Sequence, residues 1–207
     1  AKGNLIFMKT ILFLLALFLL LVTSNTSAQE VSANATRPSA TDNAFLTTYR
    51  FAEIEFGIAS DNKFLTSPLL LKFSFAKKME VGFLMNGVFN TQLDGGKSIT
   101  QIGDPGLQLK YQFLNTSDVV IAGVVKGGLN KSNQMPWTVY ITPSILMNIG
   151  QMDCTFGFTN LEGSNTIHYA AAFSPKTTLP IGIYVEFFGD KTQDFNFNYF
   201  DFGISYS

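Results

Sequence analysis

The sequence predicts an all-β fold, an antiparallel transmembrane β-barrel, on three observations. Apolar residues recur at every second position through ten segments beyond residue 45. The opposite faces carry mainly Ser, Thr, Asn, Gln and Gly, with a few charges of both signs. Short turns alternate with longer polar links, which is the layout of an outer-membrane barrel with its turns toward the periplasm.

The composition agrees. The chain has 207 residues, 46% hydrophobic and 14% aromatic with 21 Phe, yet is only 14% charged, where about 25% is usual for a soluble domain. Disorder is excluded by that apolar content. A net charge of −1 and no basic run leave no electrostatic footprint for nucleic acid. One Cys, Cys154, and one His, His168, are too few for a structural zinc site or a disulfide framework, so no metal or other cofactor is expected.

In chain order, residues 1–7 read as upstream read-through before Met8. Residues 8–28 read as a signal peptide: Lys9 supplies positive charge, Ile11 to Val22 is an unbroken apolar run, and Ser27-Ala28 is a small-residue cleavage site. That run falls short of the roughly 20 apolar residues of a membrane helix. Cleavage would remove Lys2 and Lys9 and take the net charge from −1 to −3. Residues 29–44 are Ser, Ala, Thr and Asn with Arg37-Pro38 and no apolar period, and are expected to be a flexible periplasmic lead-in.

Residues 45–207 form the expected barrel. Ala52, Ile54, Phe56 and Ile58 share one face, with Glu53, Glu55 and Gly57 opposite. The split recurs in Leu69/Leu71/Phe73/Phe75 against Lys72/Ser74, and in Val81/Phe83/Met85/Phe89 against Glu80/Asn86/Asn90. It is cleanest in Leu107/Leu109/Tyr111/Phe113 against Gln108/Lys110/Gln112. Further strands are expected at Val119–Leu129, Trp137–Met147, Met152–Thr159, Thr166–Phe173, Pro180–Phe188 and Asn196–Tyr206. Each is near the roughly 9–11 residues that cross a bilayer at a tilt. Thr91 to Gln101, with Asp94-Gly95-Gly96, reads as a longer polar link. A soluble β-sandwich also alternates, but it covers its outer face with charge. Here the charge-poor apolar faces favour lipid, with Tyr111, Trp137 and Tyr206 as the membrane-interface girdle.

Parity places Glu53, Glu55, Lys72, Lys110, Lys126, Asp153, His168, Glu186 and Asp201 in the lumen. Glu53 and Glu55, roughly 7 Å apart on one strand, are expected to pair with lumen lysines, because unpaired charge in a narrow lumen is costly. Such a network either fills the barrel or lines the constriction of a pore. An enzyme would have to use His168. Ser174 lies about 20 Å along the same strand, so no Ser–His pair forms locally and no catalytic residue is assigned. Cys154 has lipid-facing parity and is expected to be inert.

Several segments resemble a known family. Ile102-Gly103-Asp104-Pro105-Gly106-Leu107-Gln108-Leu109-Lys110-Tyr111-Gln112-Phe113 resembles the "GD…LxxKYxF" strand of the outer-membrane transporter family named after the MetA pathway of phenol degradation. Val185-Glu186-Phe187-Phe188-Gly189 is similar to its later Glu-containing strand, and Asp201-Phe202-Gly203-Ile204-Ser205-Tyr206 to its "DxGxxY" strand. The resemblance covers most of Phe45 to Ser207. It implies a channel or transporter in the bacterial outer membrane for small, aromatic or hydrophobic solutes, with lipid, solute and the barrel-assembly machinery as partners. Members continue past the "DxGxxY" strand, so the chain is expected to be a fragment of a barrel with up to twelve strands. The alternative function is a structural or surface-interaction barrel whose lumen is plugged by side chains.

Overall fold

Alternation at a period of two produces strands whose two faces differ, and such strands assemble by hydrogen bonding to their neighbours in the chain. A computed structural model describes residues 40–206, apart from 61–63, 86, 89, 95–96, 129–135, 162–163 and 179–180. The expected read-through, signal peptide and greater part of the lead-in lie outside the described residues.

The strands are β1 (Ala52–Phe56), β2 (Ala59–Ser60), β3 (Phe64–Thr66), β4 (Leu69–Ala76), β5 (Met79–Met85), β6 (Asn90–Asp94), β7 (Lys97–Gln101), β8 (Pro105–Asn115), β9 (Val119–Gly128), β10 (Trp137–Met147), β11 (Gly150–Leu161), β12 (Ser164–Pro175), β13 (Ile181–Lys191) and β14 (Asn196–Tyr206). Ten of them form one antiparallel sheet in the order β1-β4-β5-β8-β9-β10-β11-β12-β13-β14. These are the ten strands the alternation predicts, with ends shifted by a few residues. Among the described residues no ladder joins β1 to β14.

The other four strands form a second sheet, β2-β3-β6-β7, which the alternation does not predict. Thr91 to Gln101 is not a plain link: Asn90 pairs with Gln101 and Asp94 with Lys97 as a hairpin. Nor do the expected first and third strands run through to Ile58 and Phe89. They stop at Phe56 and Met85, and the chain re-enters as β2 and β6. The break has a local cause. Gly57 donates its N–H to Pro68 O at 3.1 Å, and Gly103 to Gly87 O at 2.8 Å. Pro68 has no N–H to offer the ladder, and Gly87 takes φ 122°, a conformation open to glycine.

Both faces of the ten-stranded sheet follow the predicted parity. Ile54, Phe83, Leu109, Val125, Ile141, Phe156, Phe187 and Phe202, from eight different strands, are all exposed on one face. The charged side chains of these ten strands lie on the other, except for Lys191 at the last position of β13. On that polar face Lys72, Ser74, Glu80, Lys110, Thr142, Ser144 and Glu186 are at most 3% exposed. A flat ten-stranded sheet would be about 43 Å wide at about 4.8 Å per strand. Hydrogen bonds lay the segment Ala40–Thr47 over the face, a single strip far too narrow to cover it. Burial of side chains from so many strands therefore requires the sheet to curve, with its polar face concave.

Glycine and aromatic residues fix several strand pairs on the way round. The ring of Phe113 on β8 lies over Gly123 on β9, where a Cβ would come within 2.7 Å of it. Tyr169 covers Gly189, and Tyr184 covers Gly203, in the same manner. Each ring lies across a neighbouring strand that offers no side chain of its own, which locks the register of the pair.

Candidate functional site on the concave face

The site grows from side chains that alternation turns inward. Lys72 on β4 lies opposite Glu53 in register, and its ammonium reaches Glu53 Oε2 at 3.3 Å and Glu55 Oε1 at 2.5 Å. The expected pairing of these carboxylates with a lysine is what the geometry shows. Lys110 on β8 pairs instead with Asp42, Nζ to Oδ1 at 3.0 Å. The other oxygen of Asp42 accepts the Tyr140 hydroxyl at 2.6 Å, and Lys126 Nζ sits 4.9 Å from the Tyr140 ring centroid.

Asp42 belongs to a segment that crosses the face without being a strand, and its backbone is held along its length. Glu186 accepts the N–H groups of Ala40 and Thr41, at 3.0 and 2.5 Å. Thr155 Oγ1 accepts that of Asp42 at 2.9 Å, Ser144 Oγ that of Ala44 at 2.8 Å, and Glu80 Oε2 that of Thr47 at 2.7 Å. In the other direction, Thr142 donates to Asp42 O at 2.5 Å and Gln112 to Ala44 O at 3.2 Å. Ala44 and Phe45 pack on Val120 and Ala122, which are turned inward from β9. The expected loose lead-in is thus corrected for residues 40–44. Composition offered them nothing apolar to bury, but a concave polar face supplies hydrogen-bond partners for the backbone itself.

At its end the segment turns into β1 at a tight corner. Phe51 donates to Thr48 O at 2.8 Å and Arg50 to Ser74 O at 2.9 Å. Arg50 takes a left-handed φ of 69°, a costly conformation for a residue with a Cβ, and its guanidinium lies 5.0 Å from the centroid of the Tyr49 ring.

Burial on its own would raise the Asp42 carboxyl. The charges of Lys110 and Lys126 and the hydroxyl of Tyr140 outweigh it and bring the group down to about 2. Asp42 is therefore ionised at neutral pH.

The remaining predicted residues are spread along the face. Asp153 accepts Ser144 Oγ at 2.5 Å and Gln151 Nε2 at 2.8 Å. His168 stands apart from this network, with Nδ1 at 2.9 Å from Asp190 Oδ1. Asp201 lies opposite Glu186 in register and is exposed. Tyr111 and Trp137 are exposed on the apolar face, and Tyr206 lies opposite Ile181 at the far end of β13. Cys154 is half-buried. Among the described residues no three His, Cys, Asp or Glu side chains gather as metal ligands would.

Sequence reasoning missed Asp42, Gln112, Tyr140, Thr142, Ser144 and Thr155 as site residues. Parity alone identifies the strand residues among them as inward. Nothing periodic marks Asp42, because the segment that carries it is not a strand. Three oxygens on this face, Glu80 Oε1, Gln108 Oε1 and Ser74 Oγ, are buried without a hydrogen-bond partner among the described residues. The concave face is thus a polar groove with two ion-pair clusters, a resident strip of backbone and unspent acceptor capacity. No protein-family model, curated protein or solved structure matches the chain.

Proposed function

We propose that the chain forms the wall of a bacterial outer-membrane β-barrel that conducts small solutes along its concave face. One observation carries the reading: exposed apolar side chains run round the ten-stranded sheet while its charges are turned inward, apart from Lys191 at a strand end. In water so large a continuous apolar surface is an aggregation hazard. In lipid it is required, and an antiparallel sheet crosses lipid only when closed. The apolar run Ile11–Val22 and the small-residue site at Ala28 support export. The resemblance to the MetA-pathway transporters supports an aromatic or hydrophobic solute.

A structural barrel with a filled lumen is the second reading, favoured by the segment across the face.

The test is fractionation and gel mobility. The protein is expected in the outer membrane, and in a detergent gel it should run faster unheated than boiled, because a closed barrel has no edge from which to unravel. Recovery as a detergent-free soluble monomer would refute membrane insertion.

A further inference from the structure

We propose that Ala40–Thr47 is a releasable stopper, latched across the concave face by Asp42, and that solute passes only when this segment withdraws. The inference rests on the channel reading and adds how such a channel would be shut. Four features of the segment carry it.

First, it lies where passage would occur. Its contacts run from Glu186 on β13 through Thr155 and Ser144 to Glu80 on β5 and Glu53 on β1, so it spans the groove. Secondly, it is held through its backbone. The carboxylates, hydroxyls and amide that grip it would exchange those bonds for water when it leaves, and a water-mediated bond is nearly as good as a direct one. Thirdly, its apolar anchoring is limited: Ala44 is its one fully buried apolar residue, and Phe45 and Leu46 are half-buried. Fourthly, the charged contact of its own side chains is Asp42 with Lys110, supported by the Tyr140 hydroxyl. A strip held by exchangeable backbone bonds and one ionic latch differs from a core element, whose removal would expose apolar surface at a cost that grows with area.

The corner at Thr48–Phe51 provides the pivot. Its bonds to Ser74 O and Thr48 O tie the end of the segment to β4 and β1. Eight freed residues could extend by up to about 27 Å beyond that point.

The experiment uses the full chain in planar bilayers. Ala44 N donates to Ser144 Oγ at 2.8 Å, which brings the two residues close enough for Ala44→Cys with Ser144→Cys, in a Cys154→Ser background, to be joined by a short, reducible bis-thiol cross-linker. Cross-linked channels are expected to stay shut and to open on adding a reductant. Separately, Asp42→Asn, which removes the charge that Lys110 meets, should raise the open fraction tenfold or more, about 1.4 kcal/mol or more of lost interaction. Equal conductance of the cross-linked and reduced forms would overturn the stopper and leave the channel standing. Absence of current from every form of a membrane-inserted, heat-modifiable protein would overturn the channel, and the stopper with it. If the double variant does not fold, Ala44→Cys alone serves. Its labelling by a bulky water-soluble maleimide should be about tenfold faster when Asp42→Asn is added, and equal rates would refute the latch.

Discussion

The Tyr140 hydroxyl donates to Asp42 Oδ2 at 2.6 Å, although 98 positions of sequence separate the two residues. With Lys110 on the other oxygen at 3.0 Å, this joins a residue outside the sheet to its middle strands. Its energetic weight can be read through titration. The folded carboxyl, at about 2, lies below its ordinary 3.8. A group depressed on folding contributes stability that is fully present above the unfolded value and is lost as pH falls through the folded one. Unfolding free energy should therefore include an Asp42 contribution of about 2 kcal/mol at neutral pH that fades between pH 4 and 2. The difference in stability between wild type and Asp42→Asn, measured across that window, should shrink toward zero. A difference that does not vary with pH would exclude the ion pair.

The apolar face gives a prediction that separates lipid from water. Leu109 is 42% exposed. At such a site on a soluble protein, Leu109→Arg should change stability by no more than about 0.5 kcal/mol. Facing the bilayer midplane, it should cost about 2–4 kcal/mol. Reversible unfolding in lipid vesicles, with Leu109→Met as the control, reads the difference directly.

Lys72 sits between two carboxylates. Lys72→Met leaves Glu53 and Glu55 together without their cation, in a site where the side chains are 14% and 5% exposed. The expected loss is about 3–5 kcal/mol, as for other broken buried pairs. Adding Glu53→Gln and Glu55→Gln should recover much of it. Additive losses in the triple variant would show that the three residues do not act as a unit.

Two glycines on one strand should respond in opposite ways. At Gly123 a new Cβ would come within 2.7 Å of the Phe113 ring, and at Gly127 nothing lies within 4 Å. Gly123→Ala should destabilise by about 1–3 kcal/mol through overpacking. Gly127→Ala should be neutral or should stabilise by up to about 1 kcal/mol, because it restricts the unfolded chain. Thermal melts of the two variants side by side decide this.

The ten-stranded sheet was legible because each of its strands has one apolar and one polar face, and a period of two survives ignorance of everything else. The Lys72 cluster was legible for the same reason, since parity turned Glu53, Glu55 and Lys72 to one side. Two things were not. The strands β2, β3, β6 and β7 are two to five residues long, too short for a period to register. The segment around Asp42 has no period, because it is held by backbone hydrogen bonds to side chains. Those contacts do not depend on which residues the segment carries, so its own sequence holds no trace of them. The exception is Asp42, whose partner Lys110 lies in register opposite another carboxylate, Glu80, so parity alone does not lead from Lys110 to Asp42.

The bond from Ala40 to Glu186 spans 146 positions, and this has a consequence for assembly. Residues 40–47 are synthesised before every described strand, yet Glu186 lies on β13, the last but one of those described. Closing so long a loop in an unstructured chain would cost on the order of 4 kcal/mol in entropy, for one carboxylate contact. Most pairings of the sheet join chain neighbours through short hairpins, which carry little such cost, and every pairing made shortens the effective loop between Ala40 and Glu186. The first part of the described chain to be made is thus the last to find its place. The finished sheet is the mould and residues 40–47 the casting, so their docking should be a late kinetic phase that substitutions at Asp42 slow while leaving strand formation untouched.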